Sequence, residues 1–230
     1  MAAREVRQGW VASELADEFP GLAVYSLTVD ARPAKTPDAI RAQMRELAGR
    51  ITGAKVVQSR QDTVPWSYRV LWRRLGVDPD SDRTPVESLQ VQRLEHGGLP
   101  SRGMPNDAIV VATLETGVPV VVVDAAKVDG EPGLRPAVEE SLGGAEGALR
   151  SGEVVYADER GPLARLDGEV AADRAVGDET TTMLICALAA PAVSQIEIDE
   201  ALWIVAELLE AADSAGSGGA QSDRSSRDVS

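Results

Sequence analysis

Two apolar runs, residues 108–114 (AIVVATL) and 118–123 (VPVVVV), constrain this chain most, because neither alternates polar and apolar positions. A half-exposed strand alternates, whereas continuous apolarity marks a segment covered on both faces. β-Branched residues dominate both runs, and Glu115-Thr116-Gly117 between them offers a permissive short turn. The pattern predicts a buried β-hairpin at the centre of the domain. Just upstream lie the chain's one histidine, His96, and the turn Gly97-Gly98-Leu99-Pro100, which this reading delivers to the edge of the hairpin.

Around that centre the chain reads in order. Residues 22–29 form a strand. Thr36-Pro37-Asp38 opens a helix with a capping hydroxyl, followed by Ile40, Met44, Leu47 and Ile51 at helical spacing. Thr63-Val64-Pro65 opens another, whose stripe Tyr68, Leu71, Trp72 and Leu75 reads as core and stops at Gly76. Thr84-Pro85-Val86-Glu87 fits a reciprocal capping box, with Val86, Leu89 and Leu94 inward and Gly97 as terminator. Residues 124–152 read as a surface meander, 153–157 and 162–166 as a second hairpin, 180–188 as a buried strand, and Ile198 to Leu209 as a last amphipathic helix.

With 230 residues, 43% of them hydrophobic, the chain can bury one substantial core, and one domain over residues 1–212 is expected. Residues 213–230 are Ser, Gly, Asp and Arg with few apolar side chains, the composition of a disordered tail. A lone cysteine, Cys186, sits in an apolar run and reads as a small buried hydrophobe in an intracellular, cytoplasmic protein without cofactor or metal. No run is long enough to span a membrane. The net charge of −14 argues against DNA and confines any RNA contact to a local patch. Arginines 69, 73, 74, 83, 93 and 102 cluster, either as such a patch or as solvated helix faces balanced by nearby acids.

Taken together, the order of several segments carries a resemblance. Pro65-Trp66, Trp72-Arg73-Arg74-Leu75-Gly76-Val77-Asp78-Pro79 and Arg83-Thr84-Pro85-Val86-Glu87-Ser88-Leu89 come first. Gly97-Gly98-Leu99-Pro100, Asp107, Thr116-Gly117-Val118-Pro119-Val120, Asp124 and Leu134-Arg135 follow. Gly152-Glu153-Val154-Val155-Tyr156-Ala157-Asp158 and Thr180-Thr181-Thr182 complete the series. In this order and spacing they resemble the stand-alone relatives of the editing domain in the phenylalanyl-tRNA synthetase β chain, the B-three/B-four or tRNA-binding domain. The resemblance implies an α+β fold with a mixed β-sandwich-like core flanked by helices, and a site for an aminoacyl group on a tRNA end. In the synthetase that site hydrolyses wrongly attached tyrosine, so the implied activity here is hydrolysis of mischarged aminoacyl-tRNA in trans. Two places depart from the pattern: Val110 where the family commonly has asparagine, and Leu166-Asp167-Gly168 where it often has Trp-Asn.

An aminoacyl ester is already reactive, so its hydrolysis needs a held carbonyl, a positioned water and donors for the developing oxyanion. Gly97 and Gly98 are candidates for close approach to the acyl group, or Gly97 simply caps its helix. His96 is a candidate base or donor, or a capping side chain. Glu153 either binds the substrate's amino group or polar tip, or solubilises an edge strand. Asp107 and Asp124 are candidate ammonium partners or turn caps. Arg73 and Arg93 are candidates to meet phosphate or carboxyl oxygens, or Arg73 pairs with Asp78 or Glu87 as a structural ion pair. Three functions are carried forward: an aminoacyl-tRNA deacylase, a non-catalytic module binding an amino acid, a tRNA end or a protein, and a non-tRNA enzyme reusing the pocket.

Overall fold

A computed structural model describes residues 5–139, 142–143 and 147–222. Among them are seven helices and two four-stranded sheets, a mixed α+β architecture. The chain enters through β1 (Arg7–Gln8) and β2 (Trp10–Val11), then α1 (Ser13–Glu18) and the long strand β3 (Ala23–Asp30). Four helices follow: α2 (Asp38–Arg50), α3 (Gly53–Ser59), α4 (Thr63–Arg74) and α5 (Pro85–His96). Next come α6 (Asn106–Thr116), β4 (Val120–Asp124), β5 (Gly133–Pro136), the hairpin β6 (Val154–Ala157) and β7 (Pro162–Arg165), β8 (Thr182–Ala189) and α7 (Gln195–Ser222).

The first sheet is antiparallel throughout, in the order β1-β3-β8-β4. The second runs β2-β5-β6-β7, with β2 and β5 parallel. Residues 7–11 belong to both sheets because the backbone turns at Gly9, whose N–H donates to the Val24 carbonyl at 2.9 Å. A Cβ there would stand 2.0 Å from the Pro132 carbonyl oxygen, so only glycine permits the crossing. The segment read as an amphipathic start thus divides: Trp10 and Val11 enter the second sheet, while Leu15 of α1 and Phe19 just beyond its end are buried in the core.

The central hairpin expected at residues 108–123 is instead a helix followed by a strand. Residues 106–116 form α6, and Gly117, at φ +77°, closes it in the left-handed conformation. Helix α6 packs against α2, α5, α7 and β4, so it is apolar almost all round and shows neither a two-residue nor a 3.6-residue period. Strand β4 pairs with β8 alone and is buried along its whole length. Its outer edge is partly covered by the loop carrying Arg174, whose carbonyl accepts from the Asp124 N–H at 3.0 Å.

The presumed meander at 124–152 also contains a strand. β5 lies between β2 and β6, with Leu134 fully buried and Gly133 pressed beneath the Trp10 indole. One apolar side chain in four residues left no periodicity to detect. Helix α7 continues through Asp213 to Ser222, where composition predicts disorder. Its start carries an apolar register that ends at Ala212, and the helix runs on through residues whose three glycines and three serines do not favour it. The rest of the expected tail, 223–230, lies outside the described residues.

Elsewhere local signals and structure agree. β3, β8 and the β6/β7 hairpin lie within two residues of their predicted spans, and Tyr68, Leu71 and Trp72 are core. Cys186 is buried and unpaired, and burial pushes its thiol up to about 12. The hairpin turn is fixed by Asp158, whose buried carboxylate accepts the Arg160 and Gly161 N–H groups at 2.9 Å and pairs with buried Arg174 at 3.0 Å. No described helix is long and apolar enough to cross a membrane.

Candidate functional site

Two helices place one face each along a shared cleft. Pro85, Ser88, Leu89 and Gln92 of α5 and Asn106, Ile109, Val110 and Thr113 of α6 follow the same i, i+3, i+4, i+7 spacing, which aligns side chains on one side of a helix. With Pro119, Val120 and Leu166 they enclose a cavity of about 370 Å³. A second cavity of about 520 Å³ lies beside it, between the end of α4, the turn around Ser81–Arg83, and residues 150–154 and 165–167. Ser88, Leu166 and Asp167 line both, so the two form one cleft with a waist at these residues.

Helix α5 is set in place by a buried ion cluster rather than by its predicted capping box. Thr84 caps no backbone N–H; its hydroxyl donates to Glu87 Oε2 at 3.1 Å. Glu87 Oε1 accepts from Arg69 Nη1 of α4 at 2.6 Å, with Arg60 Nε 2.9 Å away. Arg69 also donates to Asp80 at 2.7 Å, a hydrogen bond that holds the Asp80 carboxyl below its usual range and ties down the turn at the cleft rim. Leu94, expected to point inward, is exposed, and Leu89 faces the cleft instead.

The nominated residues separate into two groups. Asp107 lines the first cavity, and its buried carboxylate accepts from Thr36 Oγ1 at 2.5 Å, from the Arg102 N–H at 2.8 Å and from the Ser101 hydroxyl. Those bonds anchor residues 101–107 at the start of α6. They also take the Thr36 hydroxyl away from its expected cap on α2, where the N-cap residue is Pro37. Glu153 lines the second cavity, where the Arg150 N–H donates to it at 3.0 Å and Arg165 Nε stands 3.5 Å off.

The other nominees lie outside the cleft. His96 is exposed, with Nδ1 3.0 Å from the Gln92 carbonyl of its own helix. Gly97, at φ +73°, closes α5, and a Cβ on Gly97 or Gly98 would meet no protein atom within 4 Å. Leu99 and Pro100, the next two residues, reach the cavity wall instead. Arg73 stacks 5.8 Å above the Trp66 ring, and Arg93 donates to the Ala48 carbonyl at 2.8 Å, joining α5 to α2. Arg73 forms no ion pair with Asp78 or Glu87; Arg69 holds Glu87 instead. Asp124 accepts from Thr180 Oγ1 at 2.7 Å and from the Ala126 N–H at 3.1 Å, a turn-capping role.

Arg83 of the arginine cluster and other residues not proposed individually for the site complete the cleft. Arg83, Arg150 and Arg165 bring guanidinium groups to the second cavity, and Ser88 and Asp167 stand at the waist. Arg165 lies at the end of the hairpin strand β7 and carried no signal of its own; the register Val155↔Arg165 puts it beside Glu153. Among the described residues, no three His, Cys, Asp or Glu side chains converge as metal ligands would. The chain matches no model of a known protein family and no curated protein sequence.

Proposed function

We propose that this protein hydrolyses mischarged aminoacyl-tRNA in trans, with the aminoacyl end held in the cleft between α5, α6 and the β6/β7 hairpin. The observation that carries this reading is convergence. Segments that resemble the synthetase editing domain, scattered from Trp72 to Val154, line two cavities that meet at one waist. They include Pro85, Ser88 and Leu89, Asp107, Pro119 and Val120, and Gly152 to Val154. The second cavity offers a nucleotide end guanidinium donors rather than net positive charge, because Arg83, Arg150 and Arg165 line it together with Asp82, Glu153 and Asp167.

The chemistry adds water across the ester. The water oxygen bonds to the acyl carbon, the bond to the ribose oxygen breaks, and that oxygen takes up a proton. Glu153, held by the Arg150 N–H and beside Arg165, and Asp167 at the waist are carboxylates available to orient the substrate. A second reading, a binding module without chemistry, is favoured by one observation: His96 lies outside the cleft, and the Asp107 carboxylate already accepts three hydrogen bonds.

Release of labelled amino acid from a panel of correctly and wrongly charged tRNAs tests the two. Release above the buffer rate from a subset, reduced in Glu153→Ala, supports editing. Decay of every ester at the buffer rate refutes hydrolysis and leaves the binding module.

A further inference from the structure

The first cavity differs in character between its floor and its mouth. Val120 and Leu166 are buried at its base, and Leu89, Leu99, Ile109 and Val110 are half-buried around them. Polar side chains stand mainly at the opening, where Ser88, Arg102, Asn106 and Asp167 are exposed. Thr113, buried beside the floor, and half-buried Gln92 are the two uncharged polar side chains of the interior. The one buried acid, Asp107, is bound up by Thr36, Ser101 and the Arg102 N–H. The neighbouring cavity is charged, with three arginines and the three acids Asp82, Glu153 and Asp167 around it.

We infer that the first cavity is a side-chain pocket for an aliphatic acyl group, so that the cleft prefers leucyl, isoleucyl and valyl esters to hydroxylated ones. The inference rests on the aminoacyl-ester reading above and specifies its substrate class. An aliphatic side chain on this floor exchanges water for hydrocarbon contact. A seryl or tyrosyl hydroxyl carried to the same depth gives up water and finds only Thr113 and Gln92 as uncharged partners among otherwise apolar side chains. The waist then receives the ester. There Asp167 sits beside the α-ammonium and Ser88 beside the carbonyl, and the nucleotide extends toward Arg83, Arg150 and Arg165.

Binding of stable analogues tests this apart from catalysis. The probes are 3′-amino-3′-deoxyadenosine joined by an amide to leucine, valine, serine or tyrosine, titrated into the full chain by calorimetry. The leucyl and valyl amides are expected to bind at least about tenfold tighter than the seryl amide, as apolar pockets discriminate on this scale. Tightest binding of the seryl or tyrosyl amide overturns the aliphatic assignment and leaves the aminoacyl reading standing. If no amide binds, the aminoacyl reading falls, and the inference with it. In Val110→Asn, on the half-buried wall, the leucyl preference is expected to shrink by about threefold or more while thermal stability is kept. An unchanged preference in that folded variant places the side chain elsewhere and refutes the pocket. If the variant does not fold, the ranking in the unaltered protein decides.

Discussion

Replacing Glu87 with alanine separates two accounts of how α5 is fixed. If Glu87 acted only as the acid of a capping box, its loss would cost about 1 kcal/mol, the usual scale of a helix cap. The structure makes it the hub of a buried cluster. Its side chain is 1% exposed and receives Arg69, itself 5% exposed, at 2.6 Å. Alanine would leave the Arg69 guanidinium buried, with Asp80, 57% exposed, as its remaining acidic partner. Breaking a buried pair from one side costs about 3–5 kcal/mol, because the surviving charge stays desolvated. Glu87→Gln keeps the volume and part of the hydrogen bonding, so its loss should fall between the two figures. Urea unfolding with linear extrapolation measures both variants. A loss near 1 kcal/mol in Glu87→Ala would refute the cluster as the support of this cleft wall. The sign of the pH dependence is fixed as well. Arg69 lowers the Asp80 carboxyl from its ordinary 3.8, so that contribution is complete above this value and drains away as pH falls below it.

Four further outcomes follow from individual contacts. Asp107→Asn sets an amide N–H against donors from Thr36, Ser101 or Arg102; at about 2–3 kcal/mol it should lower the melting temperature by roughly 5–10 °C, and an unchanged melt would contradict the network. Gly133→Ala puts a Cβ 2.1 Å from the Trp10 ring, so both stability and Trp10 fluorescence should change, and an unaltered emission spectrum would rule out that contact. Cys186, raised to about 12 by burial, should resist maleimide at pH 8 until urea is added; its contribution to stability is complete below its ordinary value of 9.0 and is lost as pH rises toward 12. His96→Ala should leave stability within about 0.5 kcal/mol and any ester release unchanged, since the ring is exposed and contacts its own helix; a large loss of release would return His96 to the chemistry.

Local chemistry made much of the framework legible in advance. Proline in the first turn and glycine beyond the last placed α4 and α5, and the Asp158–Gly161 turn placed β6 and β7, because these residues restrict the backbone within one or two turns. Asp107 and Glu153 were likewise visible as acids in segments carrying a resemblance, and both line the cleft. The run 108–114 was not decidable in this way. Six apolar residues and a threonine, partly β-branched, suit a strand or a helix, and only burial among α2, α5 and α7 makes that run helical. The same holds for β5, whose one apolar residue becomes a strand because Trp10 and β6 close over it. Sequence by itself determined where the backbone turns and which side chains must leave water. Tertiary structure decided which of them meet: Ser88 and Asp167 share a waist, and Arg165 reaches Glu153, through contacts between residues distant along the chain. Backbone preferences act over a turn or two of chain, and no local preference encodes such a meeting.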